Sequence, residues 1–198
     1  MTRSPAYVRL WWAGVASLVL IGCKPASEAP RNIPDQTGGT PMSLTIQSSA
    51  FANNAVIPAR FTGDGEDVSP PLTWSGVPDG AKELALIMDD PDAPTPEPWV
   101  HWVIYKIPVD TSGLAASVAK TATLAAPAGA LQGKNSFGNI GYGGPAPPRG
   151  HGVHHYHFKL YALDTAMNLS SSLSKTQLLS AMKGHILAEG ELVGTYQR

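Results

Sequence analysis

The chain has 198 residues, of which 43% are hydrophobic and only 15% charged, with 20 glycines and 18 prolines. That length builds one domain with a real core, and so much Gly and Pro favours a turn-rich β protein over a helical bundle. The net charge of -1, from 14 basic and 15 acidic residues with no basic block, speaks against nucleic acid as a partner.

Arg3 and Arg9 form a short basic region, and Leu10 to Gly22 is almost wholly apolar. The run is shorter than the ~20 residues of a membrane-spanning helix and has the length of a signal-peptide core. It ends at the only cysteine, Cys23. Leu20-Ile21-Gly22-Cys23 resembles a bacterial lipobox, which implies a lipoprotein signal peptide over residues 1–22 and lipidation of Cys23. Acyl chains there anchor the protein to the membrane of the cell envelope, at about 0.8 kcal/mol per buried CH₂. Lys24 stands where an aspartate often signals inner-membrane retention in lipoproteins of enteric type, so the outer membrane is favoured where there is one. With Cys23 lipidated, no disulfide within the chain is possible and the core alone holds the domain. Residues 23–42 are rich in Pro, Ser, Gly and charge and read as a flexible tether, which leaves 43–198 as the domain.

Strand signals follow in order. Leu44-Thr45-Ile46 is short and β-branched, and Leu72-Thr73-Trp74 follows the turn-like Ser69-Pro70-Pro71. Glu83 to Met88 is a nearly continuous apolar run, as in a strand buried on both faces, and Trp99 to Ile107 is another, ending at Pro108. From Tyr156 to Ala162 apolar residues alternate, with Tyr156, Phe158, Leu160 and Ala162 on one face. One helix is expected. Ser174-Lys175-Thr176-Gln177 has the form of a capping box, Leu178, Met182 and Ile186 recur every four residues with Leu179 beside them, and Gly190 suits a C-terminal cap. Leu192 to Tyr196 then reads as a short closing strand. The fold class is mainly β: a β-sandwich of antiparallel sheets with small peripheral helices, one near the C-terminus.

Two segments carry the chemistry. In Asp90-Pro91-Asp92-Ala93-Pro94, followed by Trp99-Val100-His101-Trp102, the prolines Pro91, Pro94, Pro96 and Pro98 stiffen a loop between two strands. Such a loop holds two carboxylates and an imidazole at set positions, which suits a preorganised site. The second segment, Gly141 to His157, is a Gly/Pro loop running into a strand. His154 shares parity with Tyr156 and Phe158 and points inward, whereas His155 and His157 lie on the opposite face. Asp92 either lines the site or only caps its turn. His151, His154, His155 and His157 invite a metal reading, but a closed zinc site needs about four ligands and no cysteine is at hand. A hydrolase is a third class, yet no Gly-x-Ser-x-Gly elbow is present.

Both segments resemble the two signature regions of the phosphatidylethanolamine-binding protein family, also called Raf kinase inhibitor-like proteins, in its bacterial branch. The first region matches as Asp90-Pro91-Asp92-Ala93-Pro94 with His101, the second as Gly144, Pro147, Pro148, Gly150 and His154 followed by Tyr156. The likeness runs from about Leu44 to Arg198, and Ala188 to Tyr196 looks like the bacterial ending. It implies a two-sheet β-sandwich whose pocket binds anions such as phosphate or a phospholipid headgroup without catalysis, cofactor or metal. The implied lining is Asp90, Ala93, Trp99, His101, Gly144, Pro147, His154 and Tyr156. His101 and His154 suit donation to phosphate oxygens, Asp90 suits orienting an imidazole, and backbone N–H groups near Gly143 and Gly144 suit an anion cradle. Two positions depart from the pattern: His155 stands where many members have arginine, and Ala146 where they have glycine. The alternative is an inhibitor of a peptidase or another partner protein through the same region.

Overall fold

The computed structural model describes residues 44–198. The expected signal peptide, Cys23 and the expected tether therefore lie outside the described residues. Strands β1 (Thr45–Gln47), β2 (Ala55–Val56), β3 (Leu72–Ser75), β4 (Glu83–Asp90), β5 (Trp99–Ile107), β6 (Gly113–Leu114), β7 (Leu131–Gln132), β8 (His154–Leu163) and β9 (Ile186–Tyr196) are joined by one helix, α1 (Lys175–Met182), and a 3-10 turn at Ala59–Phe61. They form a three-stranded sheet ordered β1-β3-β6 and a six-stranded sheet ordered β2-β9-β8-β4-β5-β7. All pairs are antiparallel except β2 with β9, where Ala55 and Val56 run parallel to Gly194 and Thr195.

The large sheet is covered on both faces, which explains the unbroken apolar run of β4. One face carries Leu84, Leu86 and Met88, packed with Trp102, Phe158 and Leu160, and meets Ile46, Leu72 and Trp74 of the small sheet. The other carries Ala85 and Ile87, packed with Val103, Tyr105 and Tyr161 under Leu178 and Met182 of α1. A strand buried on both sides loses the apolar/polar alternation of a half-exposed one. The capping box is present: Ser174 accepts from the Gln177 N–H, and the Gln177 side chain accepts from the Ser174 N–H.

The C-terminal boundaries differ from the sequence reading. The helix stops at Met182, and Gly184 (φ +83°) turns the chain. Ile186 continues the helical spacing but opens β9, which is eleven residues long. Its first half is largely exposed, so no alternation marked it. Gly190 is not a helix cap. It lies inside β9 against β1, where an added Cβ would stand 2.3 Å from the Leu44 carbonyl oxygen.

Where β4 ends, its register with β5 shifts: Met88 faces Trp102 but Asp89 faces Val100, so His101 is the extra residue of a β-bulge. Plain alternation from Trp102 places His101 on the α1 face of the sheet; the bulge turns it to the small-sheet face, which Tyr156 shares. Bulges re-aim side chains in this way.

The contact at Gly190 gives a stability prediction. Gly190→Ala forces its methyl into the Leu44 backbone and is expected to cost about 1–3 kcal/mol, as overpacking does. Urea unfolding measures it, and an unchanged midpoint would contradict the close approach of β1 to β9.

Candidate functional site

Three neighbouring strands end together and supply the site. Asp90 closes β4 opposite Trp99, which opens β5, and His154 opens β8 opposite Tyr196. The stiff loop 91–98 leaves from β4 beside the strand on which His154 and Tyr156 point inward, while His155 and His157 face the other way.

Asp90, His101, His154 and Tyr156 are all at least 97% buried. His154 Nδ1 stands 2.7 Å from Asp90 Oδ2, and since a carboxylate only accepts, this nitrogen carries the proton. The other oxygen, Asp90 Oδ1, accepts from the Asp92 N–H at 2.9 Å, so one carboxylate orients an imidazole and starts the loop. Asp92 does not reach the cavity. Its Oδ2 accepts from the His155 N–H at 2.8 Å and from His155 Nδ1 at 2.7 Å, lashing the loop to β8. Partial burial pushes the Asp92 carboxyl up, but these bonds outweigh it and hold the group below its usual range.

His101 donates from Nδ1 to the Gly143 carbonyl at 2.6 Å. Burial pushes its imidazole pKa down, against the opposing pull of that bond and of Asp90. In the neutral form Nε2 then carries the lone pair, on a ring that lines the cavity. Tyr156 packs edge-on to His101, with ring centroids 5.1 Å apart. Its buried hydroxyl has no atom in hydrogen-bond geometry. Burial, reinforced by the nearby Asp90 charge, drives the phenol pKa far up, so it stays a donor at any ordinary pH.

These groups surround a cavity of about 230 Å³, whose remaining walls are Ala93, Pro94, Thr95, Trp99, Phe137, Ala146, Pro147 and Pro148. Of the residues marked from sequence, Asp90, Ala93, Trp99, His101, Pro147, His154 and Tyr156 come together here. Gly144 does not. It lines a neighbouring hollow of about 510 Å³, which shares only Phe137 and Ala146 with the first. The suggested N–H cradle is also committed elsewhere: Gly143 N–H donates to the His101 carbonyl at 2.9 Å and Gly144 N–H to Asp67 Oδ1 at 2.6 Å. Instead Gly143 lends its carbonyl, to fix the His101 tautomer.

Phe137 was missed by sequence reasoning. It sits edge-on to both Trp99 and His101 and divides the two hollows, yet it is one aromatic in a polar loop with no periodicity to flag it. Pro94, Thr95, Ala146 and Pro148 were within the two motifs and are recoverable from them. Thr95, the aliphatic hydroxyl of the lining, donates to the Glu97 carbonyl at 2.7 Å. His155 and His157 face Asp92 and Glu191 rather than each other. Among the described residues, no group of three or more His, Cys, Asp or Glu is placed to hold a metal ion.

The family model for phosphatidylethanolamine-binding protein matches residues 47–197. A UPF0098 protein of Methanothermobacter thermautotrophicus is 50% identical over 155 residues, 78% of this chain and 99% of its own. A Mycobacterium tuberculosis protein bearing the lipoprotein name LppC is 40% identical over 209 residues and is covered end to end, as is this chain. The crystal structure of Escherichia coli YbcL, described as a member of the mammalian PEBP family, superposes with a TM-score of 0.74 at 34% identity, covering 79% of this chain and 99% of that one. The two stiff loops, the sheet end they share and these likenesses agree: the chain belongs to the phosphatidylethanolamine-binding protein family.

Proposed function

We propose that the chain is a non-catalytic binding protein of the bacterial envelope whose cavity holds a small oxyanion, such as phosphate or a phospholipid headgroup. The observation that carries this reading is the Tyr156 hydroxyl, fully buried on a cavity wall with no bond in full hydrogen-bond geometry and only the Asp90 carboxylate near it. An orphaned buried donor costs about 1–3 kcal/mol and persists where a ligand satisfies it. An anionic oxygen beside it receives the phenol O–H, with His154 as an imidazolium partner backed by Asp90. Apolar walls of Trp99, Phe137, Pro147 and Pro148 exclude water and strengthen each of those bonds. The binding reading is favoured over hydrolysis because the Thr95 hydroxyl is spent on a carbonyl and no base reaches it.

Anchoring is the other half of the proposal. The Leu20-Ile21-Gly22-Cys23 motif and the lipoprotein name of the mycobacterial relative support a lipid-anchored domain, with residues 23–42 as its tether and 43–198 as the folded part. Without an aspartate after Cys23, the outer membrane is the favoured location where there is one.

Tyr156→Phe separates a binding role from a structural one. Removing the orphan hydroxyl is expected to stabilise the empty protein by about 1 kcal/mol and to weaken phosphate binding by tenfold or so. His154→Ala is expected to abolish the phosphate-induced rise in Tm. Calorimetry and thermal melts read both, and a Tyr156→Phe protein that binds phosphate as tightly as wild type sinks the assignment.

Proton linkage gives a pH signature. In the empty cavity the His101 pKa is depressed, and a bound anion beside it favours the imidazolium, so the bound-state pKa is the higher one. Binding then takes up a proton, and affinity rises as pH falls through the bound-state pKa until both states are protonated. Glycerophosphoethanolamine, whose charge is constant from pH 5 to 8, is the probe. Affinity is expected to increase several-fold from about pH 7.5 to 5.5 in wild type and much less in His101→Gln; a flat profile in wild type overturns the coupling.

Cys23→Ser is expected to move the full chain from the membrane to the soluble fraction and to abolish labelling by radioactive palmitate. Retention of both in the variant contradicts anchoring through Cys23.

A further inference from the structure

The second nitrogen of His154 is already taken. His151 Nδ1 stands 2.9 Å from His154 Nε2, with ring centroids 5.1 Å apart. One proton lies between them: His151 donates it when His154 is neutral, and His154 donates it when His154 is the imidazolium. In both states Nε2 is occupied, while Nδ1 is bound to Asp90. His154 therefore has no nitrogen left for a ligand unless His151 moves.

His151 is placed to move. Residues 148–153 are all exposed. Gly150 and Gly152, on either side of His151, take φ of +75° and +89° with open space around both. Glycine crosses between positive and negative φ at little cost, so the backbone pivots at both positions. The bonds holding the turn are long: His151 N–H to the Pro148 carbonyl at 3.2 Å and Gly150 N–H to the Arg198 carbonyl at 3.4 Å.

We propose that His151 is a ligand-discriminating residue of the cavity, an internal occupant of His154 Nε2 that an anionic oxygen displaces on binding. This rests on the oxyanion reading above. The contact His151 makes is a single imidazole–imidazole bond held by a loosely tied loop. A bond from imidazolium to an anionic oxygen is roughly twice as strong as one between neutral groups. An oxyanion wins that exchange and a neutral hydroxyl does not, so His151 selects for phosphate oxygens over polyols of similar size. On exchange the proton between the two rings stays on His154 Nε2 or is taken up from solvent, and His151 swings out to water. The groups that set this balance are Asp90 at the end of β4, His101 on β5, Tyr156 on β8, Asp92 in the loop after β4 and Arg198 after β9.

The test is titration calorimetry on the full chain with inorganic phosphate, glycerophosphoethanolamine and glycerol, using wild type and His151→Ala. The position is in an exposed loop, so the variant is expected to keep the fold, and its melting curve checks this. His151→Ala is expected to bind the oxyanions three- to tenfold more tightly, the worth of one released hydrogen bond, and wild type to refuse glycerol. The oxyanion that gains more identifies free phosphate or the headgroup diester as the better fit. Equal or weaker oxyanion binding by His151→Ala, with wild type binding normally, overturns the proposal and leaves the cavity assignment standing. No oxyanion binding by either protein overturns the assignment and the proposal together. A long-range proton–nitrogen NMR spectrum of the empty protein gives a second readout: the His154 Nε2 signal shifts in His151→Ala, and an unmoved signal shows that the two rings are not bonded.

Discussion

Asp90 ends a strand buried on both faces, and its carboxylate is shut off from bulk water. An isolated charge there is costly, and the pair it makes with His154 is what renders the position tolerable. Almost everything at this end of the sheet follows from that bond. It fixes the tautomer of His154, ties β8 to β4 at their open ends, and leaves one oxygen to start the turn through the Asp92 N–H. Asp92 then returns to β8 at His155, so the start of the proline-stiffened loop is held to that strand by two carboxylates, Asp90 at His154 and Asp92 at His155. Removing either member of a buried pair strands the other, so the loop, the strand ends and the cavity are expected to respond as one unit.

The opposite wall is set by backbone rather than by charge. Trp102, Val103, Ile104 and Tyr105 alternate between the two faces of the sheet as a regular strand does. The bulge at His101 breaks that alternation one residue before the strand meets the loop, and the imidazole lands beside Tyr156. The Gly143 carbonyl then takes the Nδ1 proton. The result is a cavity in which the Tyr156 hydroxyl and the His101 ring lie between largely apolar walls.

Much of this arrangement is legible in the sequence, for reasons that can be stated residue by residue. The Glu83–Met88 run marks a strand covered twice, Trp99 and Pro108 bound β5, and the parity of His154, Tyr156 and Phe158 gives the inward face of β8. The capping box locates the start of α1 because its two bonds are local. What stays hidden is non-local. Gly190 reads as a helix cap until β1 is laid against it, and Ile186 reads as helical until Gly184 turns the chain. Gly144 shares a motif with Pro147 and His154 but serves Asp67 in the adjoining hollow. The side of the sheet on which His101 emerges depends on a bulge that no pattern of residue types announces.

Among the described residues, no lysine or arginine lines the cavity, and this bears on how the proposed anion would be held. A fixed cation binds an oxyanion with the same strength at every pH where its own charge is constant. On the proposed reading His101 differs: burial holds its imidazole below the usual range when the cavity is empty, and an arriving anion favours the cation. A neutral His101 in the empty cavity avoids burying an uncompensated positive charge, and on that reading the cation forms only when a ligand brings the balancing one. Arg198, paired with Asp64 at the surface, lies outside the lining and acts on the Tyr156 phenol through its charge alone.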